Sequence, residues 1–157
     1  MNKFKKGFTL VELLIVIAIV AILATATFIA LDPLTRFRDS RDARRWADVV
    51  AIADAIKLHQ VDNGGTLVFT DLGPDGQSVI GTDGSGCDTI CGTAAAACVD
   101  PNALVSGGYL GSLPTSPNGT GSWTAGKTGY KVATSTAGNI TISACEAENA
   151  ASISVTR

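Results

Sequence analysis

From Phe8 to Leu31 the chain is apolar apart from Thr9, Glu12, Thr25 and Thr27. Coiled as an α-helix at about 1.5 Å per residue, this run of 24 residues would be about 36 Å long. The hydrocarbon core of a bilayer is about 30 Å thick, so the run is long enough to cross it with some tilt. Ahead of it, Met1 to Gly7 carries Lys3, Lys5 and Lys6 and no acid. Lysines on a short flank hold that end in the cytoplasm, which places everything after Leu31 on the outer side.

Glu12 breaks the apolar pattern. A charged group costs about 2.5–3.5 kcal/mol at the centre of a spanning helix and less towards its end. The run contains no cation to compensate it, so the partner is expected from another molecule or from a new chain end. A cut after Gly7 would create such an end, the α-amino group of Phe8, four residues ahead of Glu12. Residues four apart share a helix face. The amine of one copy could then pair with Glu12 of a neighbour displaced along a common axis. In an apolar bundle that pair would fix axial register, because any other stagger leaves a charge buried and alone.

The stretch Lys5-Lys6-Gly7-Phe8-Thr9-Leu10-Val11-Glu12-Leu13-Leu14-Ile15-Val16-Ile17-Ala18-Ile19 resembles the leader and cleavage motif of type IV prepilins and of the pseudopilins of type II secretion. The resemblance implies that a prepilin peptidase cuts between Gly7 and Phe8 and methylates the Phe8 amine, and that Glu12 is the assembly glutamate. It further implies an α+β fold in which a long N-terminal helix packs on a small antiparallel sheet. The subunit would wait as a single-pass precursor in the cytoplasmic membrane, then join a homo-oligomeric extracellular filament with the help of an inner-membrane assembly platform. Pilus, secretion pseudopilus and DNA-uptake filament are all compatible with these residues. Two rival readings use the same run: a signal-anchored exported binding module, and a secretory signal peptide cut at Ala24-Thr25-Ala26. Neither has a use for Glu12.

Four segments are expected: a cleaved leader over 1–7, a membrane or filament-core helix over 8–31, its amphipathic continuation over 32–63, and an extracellular head over 64–157. Pro33 should bend the helix, because proline removes a backbone hydrogen bond. The β-branched Thr25 and Thr27 slightly weaken helix propensity over Ala24 to Phe28, so local loosening is expected there. Beyond the proline, Trp46, Val49, Val50, Ala53 and Ile56 recur at three- and four-residue steps, with Lys57 and Gln60 continuing the row. This stripe should face the head. Arg36, Arg38, Arg41, Arg44 and Arg45 alternate with Asp39, Asp42 and Asp48 and read as a salt-bridged surface. Asn63-Gly64-Gly65 should end the helix.

In the head, Tyr130 to Thr134 and Ile140 to Ala144 alternate as strands around a turn at Thr136 to Asn139. A third strand is expected at Ile153 to Val155, a short one at Leu67 to Phe69 and a helical turn at Ala94 to Ala97. Cys87, Cys91, Cys98 and Cys145 form an even set, as expected for two disulfides in an exported domain, with three pairings open. Free thiols, or zinc at Cys87-x3-Cys91, are the alternatives.

No cofactor or metal is expected. Asp71, Asp75, Asp83 and Asp88 raise calcium in the head as the exception, although their spacing does not fit a twelve-residue EF-hand loop. Catalysis is not expected either: the sole histidine, His59, falls in the helix as a polar residue, and no phosphate-binding loop follows a strand. The formal charge is −2, and loss of the three leader lysines leaves nine basic side chains against fourteen acidic ones, a net −5. No basic patch with interleaved aromatics offers itself to a phosphate backbone, and what the head binds, nucleic acid included, is not written in these residues.

Overall fold

The computed structural model describes residues 7–69, 71–87, 89 and 91–157. Met1 to Lys6, which include the leader lysines, and Asp88 of the calcium expectation lie outside the described residues. The element order is α1 (Leu10–Leu31), α2 (Pro33–Asp62), β1 (Gln77–Val79), α3 (Asn102–Ser106), β2 (Tyr130–Thr134), β3 (Ile140–Ala144) and β4 (Ser154–Thr156). The chain divides into two compact units, Met1–Arg36 and Phe37–Arg157, so most of α2 groups with the head.

In the first unit, α1 buries none of its residues. It is helical throughout Ala24 to Phe28, against the expected loosening. The two threonines there donate back into the helix, Thr25 Oγ1 to Ala21 O at 2.9 Å and Thr27 Oγ1 to Leu23 O at 2.8 Å, which satisfies their hydroxyls without disturbing it. The helix breaks instead at Asp32, which holds a left-handed φ of 36°. The bend expected near Pro33 falls at this junction, with Pro33 as the first residue of α2, where its missing N–H is no loss and its fixed φ suits helix initiation.

In the second unit the four strands form one antiparallel sheet in the order β1-β2-β3-β4. Tyr130 pairs with Ala144 and Val132 with Ile142, so the alternation read from the sequence sends Tyr130, Val132, Ile140 and Ile142 to one buried face. They share a core with Val49, Ile52, Ala53 and Ile56 of α2 and with Ile153. The result is an α+β pilin-type head, a helix laid on a small antiparallel sheet. Gly64 and Gly65, at φ of 64° and 92°, end α2 as expected, with Gly65 N–H donating to Gln60 O at 2.8 Å.

Three local expectations fail. Leu67 to Phe69 is not a strand. Phe69 is buried in the core, but the place beside β2 is taken by Gln77–Val79. Ala94 to Ala97 is not helical. The Cys87–Cys98 disulfide brackets it, Cys87 N–H donates to Ala96 O at 3.0 Å, and the only helix of this region among the described residues is α3. The buried stripe of α2 is also rotated from the one expected. Trp46 stays exposed and Val50 half-buried, while Asp42 and Arg45 join Val49, Ile52, Ala53 and Ile56 in the interior.

Candidate processing and assembly site

Gly7 and Phe8 precede the first helical residue. A Cβ built on Gly7 would meet nothing within 4 Å, and Phe8 is 89 % exposed. The Gly7–Phe8 peptide bond is therefore accessible. Phe8 is not on the helix face that a four-residue spacing to Glu12 presupposed, because Thr9 is the N-cap, in extended conformation with φ −80° and ψ 152°.

Thr9 and Glu12 form a reciprocal capping box. Glu12 N–H donates to Thr9 Oγ1 at 3.2 Å, while Thr9 N–H and Thr9 Oγ1 donate to Glu12 Oε2 at 2.9 and 2.8 Å. Two helix-end donors are satisfied, and the carboxylate is drawn back over the N-terminus, where the helix dipole favours negative charge. Glu12 thus has a partner within its own chain, which the sequence reading did not foresee. The signal was present, since Thr9-x-x-Glu12 ahead of an apolar run is the capping-box pattern. Glu12 Oε1 makes no hydrogen bond among the described residues.

Beyond the cap, α1 is fully exposed, with a mean hydropathy of 2.9 over its most apolar window, and passes for a membrane span by length and composition. Its 22 residues rise about 33 Å.

The head holds a second cluster that sequence reasoning assigned to a solvated surface. The Arg45 guanidinium, 0 % exposed, donates to Asp42 Oδ1 and Glu148 Oε1 at 2.8 Å, to Pro117 O at 2.9 Å and to Ser116 Oγ at 3.1 Å. Glu146 Oε2 stands 3.4 Å away. Arg41 makes a two-pronged pair with Glu148, the bidentate geometry in which arginine binds carboxylate most firmly. Burial alone would raise the Asp42 carboxyl, but the backbone N–H groups of Ala150, Asn149 and Glu148, with Arg45, hold it down at about 2. Arg41, outweighing desolvation, and Arg45 bring Glu148 to about 2 as well. Glu146 resists its own desolvation through Thr120, Trp123 and Gly121 and is also lowered. On the sheet side, Tyr130 Oη donates to Asp48 Oδ2 at 2.6 Å; burial, then that bond, raise the phenol well above its usual range.

The cysteines pair as Cys87–Cys98 and Cys91–Cys145, with Cα separations of 5.4 and 4.9 Å. The second pair joins residues 54 apart in sequence and anchors the 145–150 segment that carries Glu146 and Glu148. Of the calcium-candidate acids, Asp75 accepts from Gln77 N–H at 3.2 Å and Asp83 lies 3.9 Å from Lys127 Nζ. No group of three or more His, Cys, Asp or Glu side chains suited to a metal occurs among the described residues. His59 packs edge-on against Tyr109 at 5.2 Å.

Residues 2–28 match the prokaryotic N-terminal methylation motif. No curated protein and no solved structure matches the chain. The motif covers Gly7, Phe8 and Glu12. The chain therefore carries a type IV pilin-like prepilin leader. Together with the exposed apolar helix, the motif supports a pilin- or pseudopilin-like exported protein, fits a membrane-anchored precursor and implies processing by a prepilin peptidase.

Proposed function

We propose that the chain is a structural subunit of a type IV pilus or a pilus-like filament, built by packing α1 of many copies together after cleavage between Gly7 and Phe8. The reading is carried by one observation: a 22-residue apolar helix with no buried residue, bearing a single carboxylate at the end where processing would release an amine. Burying that surface against other copies would contribute about 25 cal/mol per Å². Such packing is largely non-directional, so the Phe8 amine and Glu12 would supply register. Glu12 Oε1 is left for the amine while Oε2 keeps its bonds to Thr9. In this reading the role is structural rather than catalytic, and the partners are other copies, the peptidase and an inner-membrane assembly platform. A secretion pseudopilus or DNA-uptake filament would use the same machinery.

The test is the mature N-terminus together with assembly. Mass spectrometry of the processed chain should find a methylated Phe8 first; a chain starting at Thr27 would reject the reading. Glu12→Val should leave membrane insertion intact and abolish sheared filaments, since an apolar residue is no obstacle to spanning. Normal filament yield from this variant would reject the register argument.

A further inference from the structure

Asp32 and Arg36 stand just past the apolar helix, both exposed and both within the unit Met1–Arg36. They are four residues apart, the spacing at which opposite charges on a helix usually meet, yet no ion pair joins them. Asp32 is not helical: its left-handed backbone, uncommon for any residue but glycine, turns the carboxylate into the first turn of α2, where Oδ2 accepts from Thr35 Oγ1 at 2.6 Å. Its Oδ1 is free among the described residues. The Arg36 guanidinium makes no ion pair there either, nor does that of Arg38, whereas Arg41, Arg44, Arg45 and Arg157 all do. The link between the two residues is a backbone bond alone, from Arg36 N–H to Asp32 O at 3.3 Å.

We infer that Asp32 of one copy and Arg36 of its neighbour form a second intersubunit ion pair, at the opposite end of the apolar rod from Phe8 and Glu12. This rests on the filament reading above and extends it. When the Phe8 amine of one copy reaches Glu12 of the next, residue n of the first stands about level with residue n+4 of the second. The same displacement brings Asp32 of the first level with Arg36 of the second. The order of charges is reversed at the two ends, cation first at Phe8 and acid first at Asp32, but the spacing is four at both. One axial stagger therefore brings both pairs level.

The fit tolerates local irregularity. Phe8 and Thr9 are not helical, and an extended residue rises about 3.3 Å against about 1.5 Å in a helix. That lengthens the first step, while the return of Glu12 towards Thr9 shortens it. The long arginine side chain spans what remains. Physically, a uniform apolar rod has weak axial register, because sliding exchanges one greasy contact for another. Charges at both ends remove that freedom: a slip of one turn unpairs two cations and two acids together.

The experiment mixes two charge reversals, Asp32→Arg and Arg36→Glu, in cells without the wild-type chain, and measures sheared filaments by electron microscopy and immunoblot. Alone, each variant sets like charges against each other at every contact between copies, and its yield should fall at least about threefold. Produced together, each chain supplies the charge the other lacks, and yield should recover. Recovery can arise only between molecules, since neither chain carries an opposite pair of its own. Asp32→Asn retains a side chain tolerant of left-handed backbone, so its own loss of yield would report the charge rather than strain. The pair is overturned by normal yield from the single reversals, by failure of the mixture to recover, or by a loss confined to Arg36→Glu, which would assign Arg36 to a lipid phosphate. Glu12→Val is run alongside. If even the unaltered chain yields no filaments, the filament reading itself fails; if Glu12→Val abolishes filaments while the reversals assemble normally, only the Asp32–Arg36 pair fails.

Discussion

The two compact units handle the same kinds of side chain in opposite ways. In Met1–Arg36 the isoleucines, leucines and valines of α1 all lie open to the surroundings. In Phe37–Arg157 the largest fully buried side chain among the described residues is an arginine. The first unit leaves its apolar surface for something outside the chain to cover. The second has brought charge inside and given it partners, three carboxylates around Arg45, so the network is complete. An exposed greasy face of this extent marks an interaction or membrane surface. A buried charge survives only where every neighbour is in place. The first unit is therefore expected to be indifferent in isolation to changes that would damage the second.

The strongest test of that contrast is Arg45→Ala. It leaves Asp42, Glu146 and Glu148 facing one another without their cation, and should destabilise the head by about 3–5 kcal/mol in urea unfolding of the detergent-solubilised chain. Tryptophan fluorescence reports the head, because Trp46 and Trp123 both lie in it. Arg38→Ala, exposed and without an ion pair among the described residues, should stay within about 0.5 kcal/mol. Acid should act on the same cluster. The folded-state carboxyls of Asp42 and Glu148 are depressed to about 2, so their stabilisation is fully present above the unfolded values near pH 4. It should be lost progressively as pH falls from about 4 to 2. An Asp42→Asn chain should show a shallower acid transition over that range. An unchanged profile would mean that the cluster is not what holds the 145–150 segment.

A matched pair of core and rod substitutions comes next. Ile142→Ala, fully buried in β3, should cost about 2–5 kcal/mol by the same fluorescence measurement. Ile17→Ala, 59 % exposed on α1, should leave head unfolding within about 0.5 kcal/mol. A comparable loss from Ile17→Ala would break the contrast between the two units.

Much of this arrangement was legible in the residues, for identifiable reasons. The apolar run, its length and the alternation of Tyr130 to Thr134 and Ile140 to Ala144 are signals carried by consecutive side chains, and local period decides them. Asp42 and Arg45 were misplaced because a charge pattern along a helix says nothing of partners more than a hundred residues away, and Glu146 and Glu148 come from the far end of the head. Gln77–Val79 was passed over for Leu67–Phe69 because the latter is more apolar, yet a strand needs a free edge as well as hydrophobicity, and β2 offered its edge to Gln77. The bend was legible from Pro33, but its exact place, the break at Asp32, was not. Proline is easy to see in a sequence, while a left-handed aspartate is fixed only by the turn around it.

The smallest expected effect probes the cap at the start of α1. Thr9 supplies the hydroxyl that accepts from Glu12 N–H and a donor to Glu12 Oε2. Thr9→Val is nearly isosteric and removes both. Loss of an N-cap costs about 1 kcal/mol, which corresponds to roughly fivefold faster hydrogen exchange of the first amides of α1. Head amides should exchange as before, because the cap's bonds run between Thr9 and Glu12 alone. Thr9→Ser restores the hydroxyl and should restore protection. If the first turn of α1 exchanges no faster in Thr9→Val, the cap is not what holds Glu12 over the helix end. The carboxylate would then be free to swing, and its readiness for an incoming amine would have to come from the neighbouring copy rather than from its own chain.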